Sequence, residues 1–148
     1  MSGECKIQQL SEATGQIQDL IKQCFKAKEF SYSPYSKFRV GSAVLTNDNR
    51  IFTGCNVENA SYGIGICAER TALVKAVSEG FRGFKAIAVC TDVAAYTGPC
   101  GACRQFIAEF GLDIEVYMCS TDHSYQLLLI KDLLPRAFTP MDLVNAEK

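Results

Sequence analysis

The stretch from Phe84 to Cys119 constrains the fold of this chain more than any other part of it. Phe84–Thr91 is a nearly continuous apolar run, Pro99 opens a helical stretch that reaches Phe110, Gly111 closes it, and Ile114–Cys119 is apolar again. The runs read as strands, the first of them central, and the segment between them as a helix entered at proline. A crossover of this kind returns the second strand parallel to the first, which places the chain among α/β folds. The turn TDHS that follows is too short for another crossover, so the strand expected over Tyr125–Ile130 runs antiparallel to its neighbour.

The remaining segments add layers around that unit. Leu10, Ala13, Ile17, Leu20, Ile21 and Cys24 recur at spacings of three and four, which predicts a helix over residues 10–25. Phe38–Thr46 and Arg50–Val57 are β-rich, and Asn47-Asp48-Asn49 between them supplies residues that tolerate left-handed backbone, so they form an antiparallel hairpin. A helix begins near Cys67 in CAERTALVKAVSEG and is capped at Gly80, and a short helical tail runs through LLPRAF and TPMDLVNAE. With no internal repeat and only short connections, the expectation is one α/β domain over residues 1–148. Its helices flank a mixed sheet of about five strands.

Charge and composition exclude several classes of function. Fifteen Lys and Arg against sixteen Asp and Glu leave a net charge of −1, and 48% of the 148 residues are hydrophobic. That is a globular balance, and it lacks the excess of positive charge that a nucleic-acid or anionic-membrane surface needs. The apolar run at 127–130 ends at Lys131 and Asp132, far short of the ~20 residues that span a bilayer. The first residues, MSGECKIQQLSEATGQ, show neither the basic start nor the apolar stretch of a secretory signal, so the expected location is the reducing cytoplasm. Eight cysteines there call for metal ligation or burial rather than disulfides.

Three of the eight stand in a pattern with chemical meaning. In P-C-G-A-C, Cys100 and Cys103 lie three residues apart at the start of a helix, on one face, where the helix N-terminus favours thiolate. Alone, such a pair fits a redox dithiol, half of a structural zinc site or part of a catalytic one. Cys67 also stands at a helix start, so two helix N-termini can converge on one ion with three thiolates and one open position. His123, the single histidine, falls in a hairpin turn, where solvent exposure is the expectation rather than ligation. Glu69, two residues after Cys67, is either a first-turn glutamate favoured by the helix dipole or a proton carrier beside the metal. Three thiolates on Zn²⁺ sum to −1, and Arg70 or Arg104 can offset that charge by hydrogen bonding to sulfur. Cys5, Cys24, Cys55, Cys90 and Cys119 read as helix-face, strand or terminal residues with no chemistry assigned.

The string C67-A-E69 with P99-C100-x-x-C103 resembles the signature of the zinc nucleobase deaminases in its three-cysteine form. YSPYSKFRVGSAVL, GCNVENASYG, CAERTAL, PCGACRQ and LLPRAFTPMDL are similar to blocks of the homotetrameric cytidine deaminases of pyrimidine salvage, over residues 30–143. The resemblance implies a three-layer deaminase fold, one zinc per chain on Cys67, Cys100 and Cys103, Glu69 as proton shuttle and Arg70 as the arginine that compensates the thiolates. It further implies that Asn56 and Glu58 hold the ribose hydroxyls and that Phe38 packs on the pyrimidine. Ala60, Tyr62 and Phe138 match positions that neighbouring subunits contribute to a shared active site. On their own residue types, Asn56 and Glu58 would be turn polars and Phe38 and Phe138 core residues. Gly98 departs from the pattern, since relatives often carry Ser before the Pro-Cys, and its flexibility puts the contact of its carbonyl with the leaving amine in question. The expected reaction is hydrolytic deamination of free cytidine and 2′-deoxycytidine. The alternatives are a deaminase of another aminopyrimidine, such as blasticidin S, or of polynucleotide, and a zinc domain without catalysis.

Overall fold

In the computed structural model, which describes residues 5–147, strands β1 (Ile7–Gln8), β2 (Val40–Thr46), β3 (Ile51–Cys55), β4 (Phe84–Thr91), β5 (Glu115–Cys119) and β6 (Tyr125–Leu129) form one sheet in the order β1-β6-β5-β4-β2-β3. The outermost residues of the domain expected over 1–148 lie outside the described ones. β4 and β5 are parallel and joined through helix α3 (Gly101–Ala108), whereas every other pairing is antiparallel. The crossover and the hairpins expected from the sequence are therefore present.

The sheet has six strands rather than the expected five. The extra one, β1, is two residues long and pairs with the outer edge of β6 through Ile7 opposite Gln126 and Gln8 opposite Tyr125. Two residues carry no alternating pattern, so only the edge they cap makes them a strand. The helix expected over 10–25 is divided: a 3-10 turn covers Leu10–Glu12, and α1 spans Gly15–Lys28 behind Thr14, whose hydroxyl accepts from the Ile17 amide at 3.3 Å. Pro99 does not open α3 but stands just before its N-cap, Cys100.

Strand alternation divides the core into two layers, one on each face of the sheet. Ala43, Leu45, Ala86, Ala88, Cys90, Tyr117 and Cys119 face α1 and its Leu20, Ile21 and Cys24. Val44, Ile87, Val89, Val116 and Met118 face the other way, toward α2 (Ala68–Ser78), α3 and the short α4 (Ile130–Leu133). The fold thus has three layers, helix, sheet, helices. A last helix, α5 (Pro140–Ala146), buries none of its residues.

Two glycines set how closely the helices approach. A Cβ at Gly41 would lie 2.3 Å from the Cys24 carbonyl oxygen, and one at Gly54 would lie 2.4 Å from the Ala72 amide nitrogen. Gly41 thus admits α1 on one face, and Gly54 seats α2 on β3 on the other. The second contact places the N-terminus of α2 at the end of the sheet where β4 runs out toward α3.

Candidate metal centre and active site

The two longer helices on that face, α2 and α3, each start with a cysteine. Cys67 is the N-cap of α2, Cys100 the N-cap of α3, and Cys103 lies buried in the first turn of α3. The sulfurs all lie within 4.8 Å of one another, with Cys67 and Cys100 3.9 Å apart. Among the described residues this is the one group of three or more potential ligand side chains gathered so closely. Zn–S bonds of ~2.3 Å place tetrahedral sulfurs about 3.8 Å apart, so the spacing fits zinc.

The electrostatics fit as well. The Cys103 thiol, hydrogen-bonded to Cys67, and then the Arg70 guanidinium pull the Cys67 thiol down to about 5, while Cys103 is raised because it keeps the shared proton. Arg70 donates from Nη2 to the Cys67 sulfur at 3.1 Å, and its Nε is buried with no hydrogen-bond partner. An arginine held against thiolates, with a donor still unused, marks a cluster suited to more negative charge than one thiolate supplies. That is the state of three deprotonated sulfurs around a cation. Arg104, the other candidate for this task, points elsewhere: Nε donates to the Pro99 carbonyl at 2.7 Å and Nη1 to that of Leu133 at 2.8 Å.

Beside the sulfurs opens a cavity of about 430 Å³ that includes Cys67, Cys100 and Glu69 in its lining. Glu69 is 4% exposed, and burial pushes its carboxyl up to about 7. Its carboxylate is outside the sulfur group, which leaves it free to exchange protons at the cavity wall.

The opposite wall comes from the segments flanking the β2-β3 hairpin. Asn56 replaces ladder hydrogen bonds there: Nδ2 donates to the Phe38 carbonyl at 2.7 Å, and Oδ1 accepts from the Val40 amide at 3.0 Å and from the Ser31 hydroxyl. The strands expected over 38–46 and 50–57 are shorter at their cavity ends, where Val57 pairs through its backbone with Ile66 instead of β2. Glu58 accepts from the amides of Tyr35 and Ser36, each at 3.1 Å, and from the Ser36 hydroxyl, and the hydroxyl first holds its carboxyl below the usual range. Phe38, Asn56, Glu58 and Tyr62 all line the cavity, so four of the residues singled out by resemblance meet the sulfurs and Glu69 in one space.

Ala60 and Phe138 do not line it. Both are exposed, and Phe138, 58% exposed, is not the core residue its type suggests. His123 takes no part in the sulfur group, but it is half-buried rather than exposed, stacked on Phe25 with ring centroids 4.0 Å apart. Ser36, Thr91 and Thr97 also line the cavity and were not singled out. Ser36 stood in a Pro-containing polar loop just before Phe38, a usable signal, whereas nothing in the sequence separates Thr91 from any other strand threonine.

A family model described as the cytidine and deoxycytidylate deaminase zinc-binding region matches residues 14–119. The chain belongs to that family. A cytidine deaminase of Sporosarcina psychrophila is 48% identical over 131 residues, covering 88% of this chain and 96% of the relative. A probable cytidine deaminase of Dictyostelium discoideum is 48% identical over 132 residues, covering 86% and 89%. The crystal structure of cytidine deaminase from Burkholderia pseudomallei superposes with a TM-score of 0.80 at 46% identity, over 85% of this chain and all of that one. The match to the deaminase zinc-binding region includes Cys67, Glu69, Cys100 and Cys103 and stops before Phe138.

Proposed function

We propose that this chain hydrolyses cytidine and 2′-deoxycytidine to uridine and 2′-deoxyuridine with release of ammonia, a step of pyrimidine salvage, in the cytoplasm. The observation that carries the reading is the meeting of a buried, near-neutral carboxyl, Glu69, with a three-sulfur metal site at one cavity wall. Cys67, Cys100 and Cys103 would hold zinc. When bound, zinc supplies the Lewis acidity that makes water a nucleophile near neutral pH.

The chain's own residues perform the rest. Glu69 accepts a proton as water adds to C4 of the pyrimidine and delivers it to N3, giving a tetrahedral carbon that bears both oxygen and the amine. It then carries the remaining proton of the added hydroxyl to the exocyclic nitrogen, the C4–N bond breaks as the C4 carbonyl forms, and ammonia leaves. Arg70 keeps the Cys67 sulfur charged and in place. Phe38 packs on the ring, and Asn56 and Glu58 orient the ribose; Glu58 is pre-set for this by its bonds to Tyr35 and Ser36. Ala60, Tyr62 and Phe138 act across subunit contacts in a homotetramer, which accounts for their exposure in the single chain.

A free nucleoside is favoured over a nucleotide. Glu58 and Glu69 put two carboxyl groups in the cavity lining, and no Lys, Arg or His is among the residues that line it, so a 5′-phosphate finds no cation there. The test is the ultraviolet band of cytidine, followed with and without protein, with zinc measured on the same sample. Loss of the band with about one zinc per chain supports the reading. Stoichiometric zinc with cytidine and deoxycytidine both untouched would overturn it.

A further inference from the structure

The back of the cavity wall carries a charge cluster that the chemistry above does not use. Asp92, the first residue after β4, accepts from Arg39 Nε at 2.8 Å through one oxygen and from Arg39 Nη2 at 2.9 Å through the other. Lys28, 7% exposed at the end of α1, reaches the same carboxylate at 2.9 Å and donates to the Thr91 carbonyl at 3.4 Å. Arg39 also contacts Glu29 at 3.2 Å.

Strand alternation gives this cluster its meaning. Val40 and Thr91 are directly paired at the last rung of the β2-β4 ladder, and both line the cavity. Arg39 and Asp92 are the next residues outward on each side of that rung, and they join on the α1 face, the opposite side of the sheet. Terminal rungs of a ladder open most readily, and here an opening would move both cavity walls at once. On one side the segment runs back to Phe38. On the other it runs forward through Thr97 and Gly98 to Cys100.

We propose that Asp92 is a positioning residue for the nucleoside pocket: by gripping Arg39 and Lys28 it locks the Val40–Thr91 rung and so holds the Phe38 wall at a fixed distance from the wall that leads to the metal site. Isolated exposed ion pairs do little, but a two-pronged arginine-carboxylate contact reinforced by a buried lysine is geometrically determined. Its effect falls on substrate placement, because neither Asp92 nor Arg39 lines the cavity.

The inference rests on the deaminase reading, and its test separates the two. Arg39→Gln and Asp92→Asn are each expected to raise KM for cytidine about tenfold with kcat within about twofold and zinc retained, and the double variant to be no worse than the worse single one. Arg39→Lys, which keeps the charge but not the fork, falls between wild type and Arg39→Gln. Amide hydrogen exchange over residues 38–41 and 90–92 quickens in the same variants. If removing the Asp92 charge leaves buried Lys28 unpaired and the protein fails to fold, Arg39→Gln, which keeps that pair, decides alone. An unchanged KM with unchanged exchange in Arg39→Gln overturns the proposal, as do losses that simply multiply in the double variant. Should the wild type leave cytidine untouched, the deaminase reading falls, and the exchange rates still judge the clasp.

Discussion

At the scale of single residues the proposed reaction separates the sulfurs that would hold a metal from the carboxyl that would move protons. Glu69 is buried and near neutral in its titration, yet outside the sulfur group, so Glu69→Gln should retain fold and zinc while losing about 10²-fold or more of turnover. Steady-state rates beside zinc content check this, and near-normal turnover in the variant would remove Glu69 from its role. Arg70 acts through sulfur. Arg70→Ala should weaken zinc affinity about 10 to 100-fold, as loss of partners to metal ligands does, measured by competition with a chromogenic chelator. Gly98 resolves differently from its sequence reading: its φ lies outside the left-handed region, and a Cβ there would sit 3.2 Å from Arg104 Nη2 and 3.3 Å from the Met118 sulfur. A side chain at Gly98 would therefore require the ends of Arg104 and Met118 to give way by a few tenths of an ångström.

At the scale of elements, the site depends on where two helices begin. α2 is fixed on β3 by the bare backbone of Gly54, and Gly54→Ala would drive a methyl into the Ala72 amide and lift the whole helix. Cys67 and Glu69 travel with it, so loss of bound zinc and a lower melting temperature are expected together, read by metal analysis and thermal unfolding. The rung between β2 and β4 has a pH signature. Arg39 first, and then Lys28, hold the Asp92 carboxyl down at about 2. A carboxyl lowered in the folded state contributes stability that is complete above its unfolded pKa of about 3.9 and is lost as pH falls toward 2. The melting-temperature difference between wild type and Asp92→Asn should therefore persist above about pH 4 and shrink below it. A difference that grows on acidification would contradict the assignment.

At the scale of the whole molecule, the exposed large apolar residues include Phe30, Tyr62, Ile64, Phe138, Met141 and Leu143. Tyr62 belongs to the cavity rim and Phe138 does not, although both belong to the proposed shared site. A tetramer by sedimentation is expected. Phe138→Ala should then reduce cytidine turnover while leaving zinc content unchanged; a fully active monomer would show that one chain completes its own site.

The sequence determined the local signals. Apolar runs, turn residues and helix starts located five of the six strands and both cysteine-bearing helix N-termini, because each depends on neighbours within a few positions. The string C67-A-E69 with P99-C100-x-x-C103 was enough, through its resemblance to the deaminase signature, to single out the three cysteines that the fold gathers and the carboxyl beside them. Tertiary structure decided what distant segments do to one another. β1 exists because β6 offers it an edge, Arg104 turns to carbonyls rather than sulfur, and Asn56 stitches the two ends of the hairpin at the cavity. The Lys28, Arg39 and Asp92 cluster brings Asp92 to two charges more than fifty residues earlier, and no pattern along the chain encodes which charges will meet. The physical reason is one of range: secondary structure and capping are settled by adjacent residues, whereas burial, pKa and pairing depend on what the fold brings alongside.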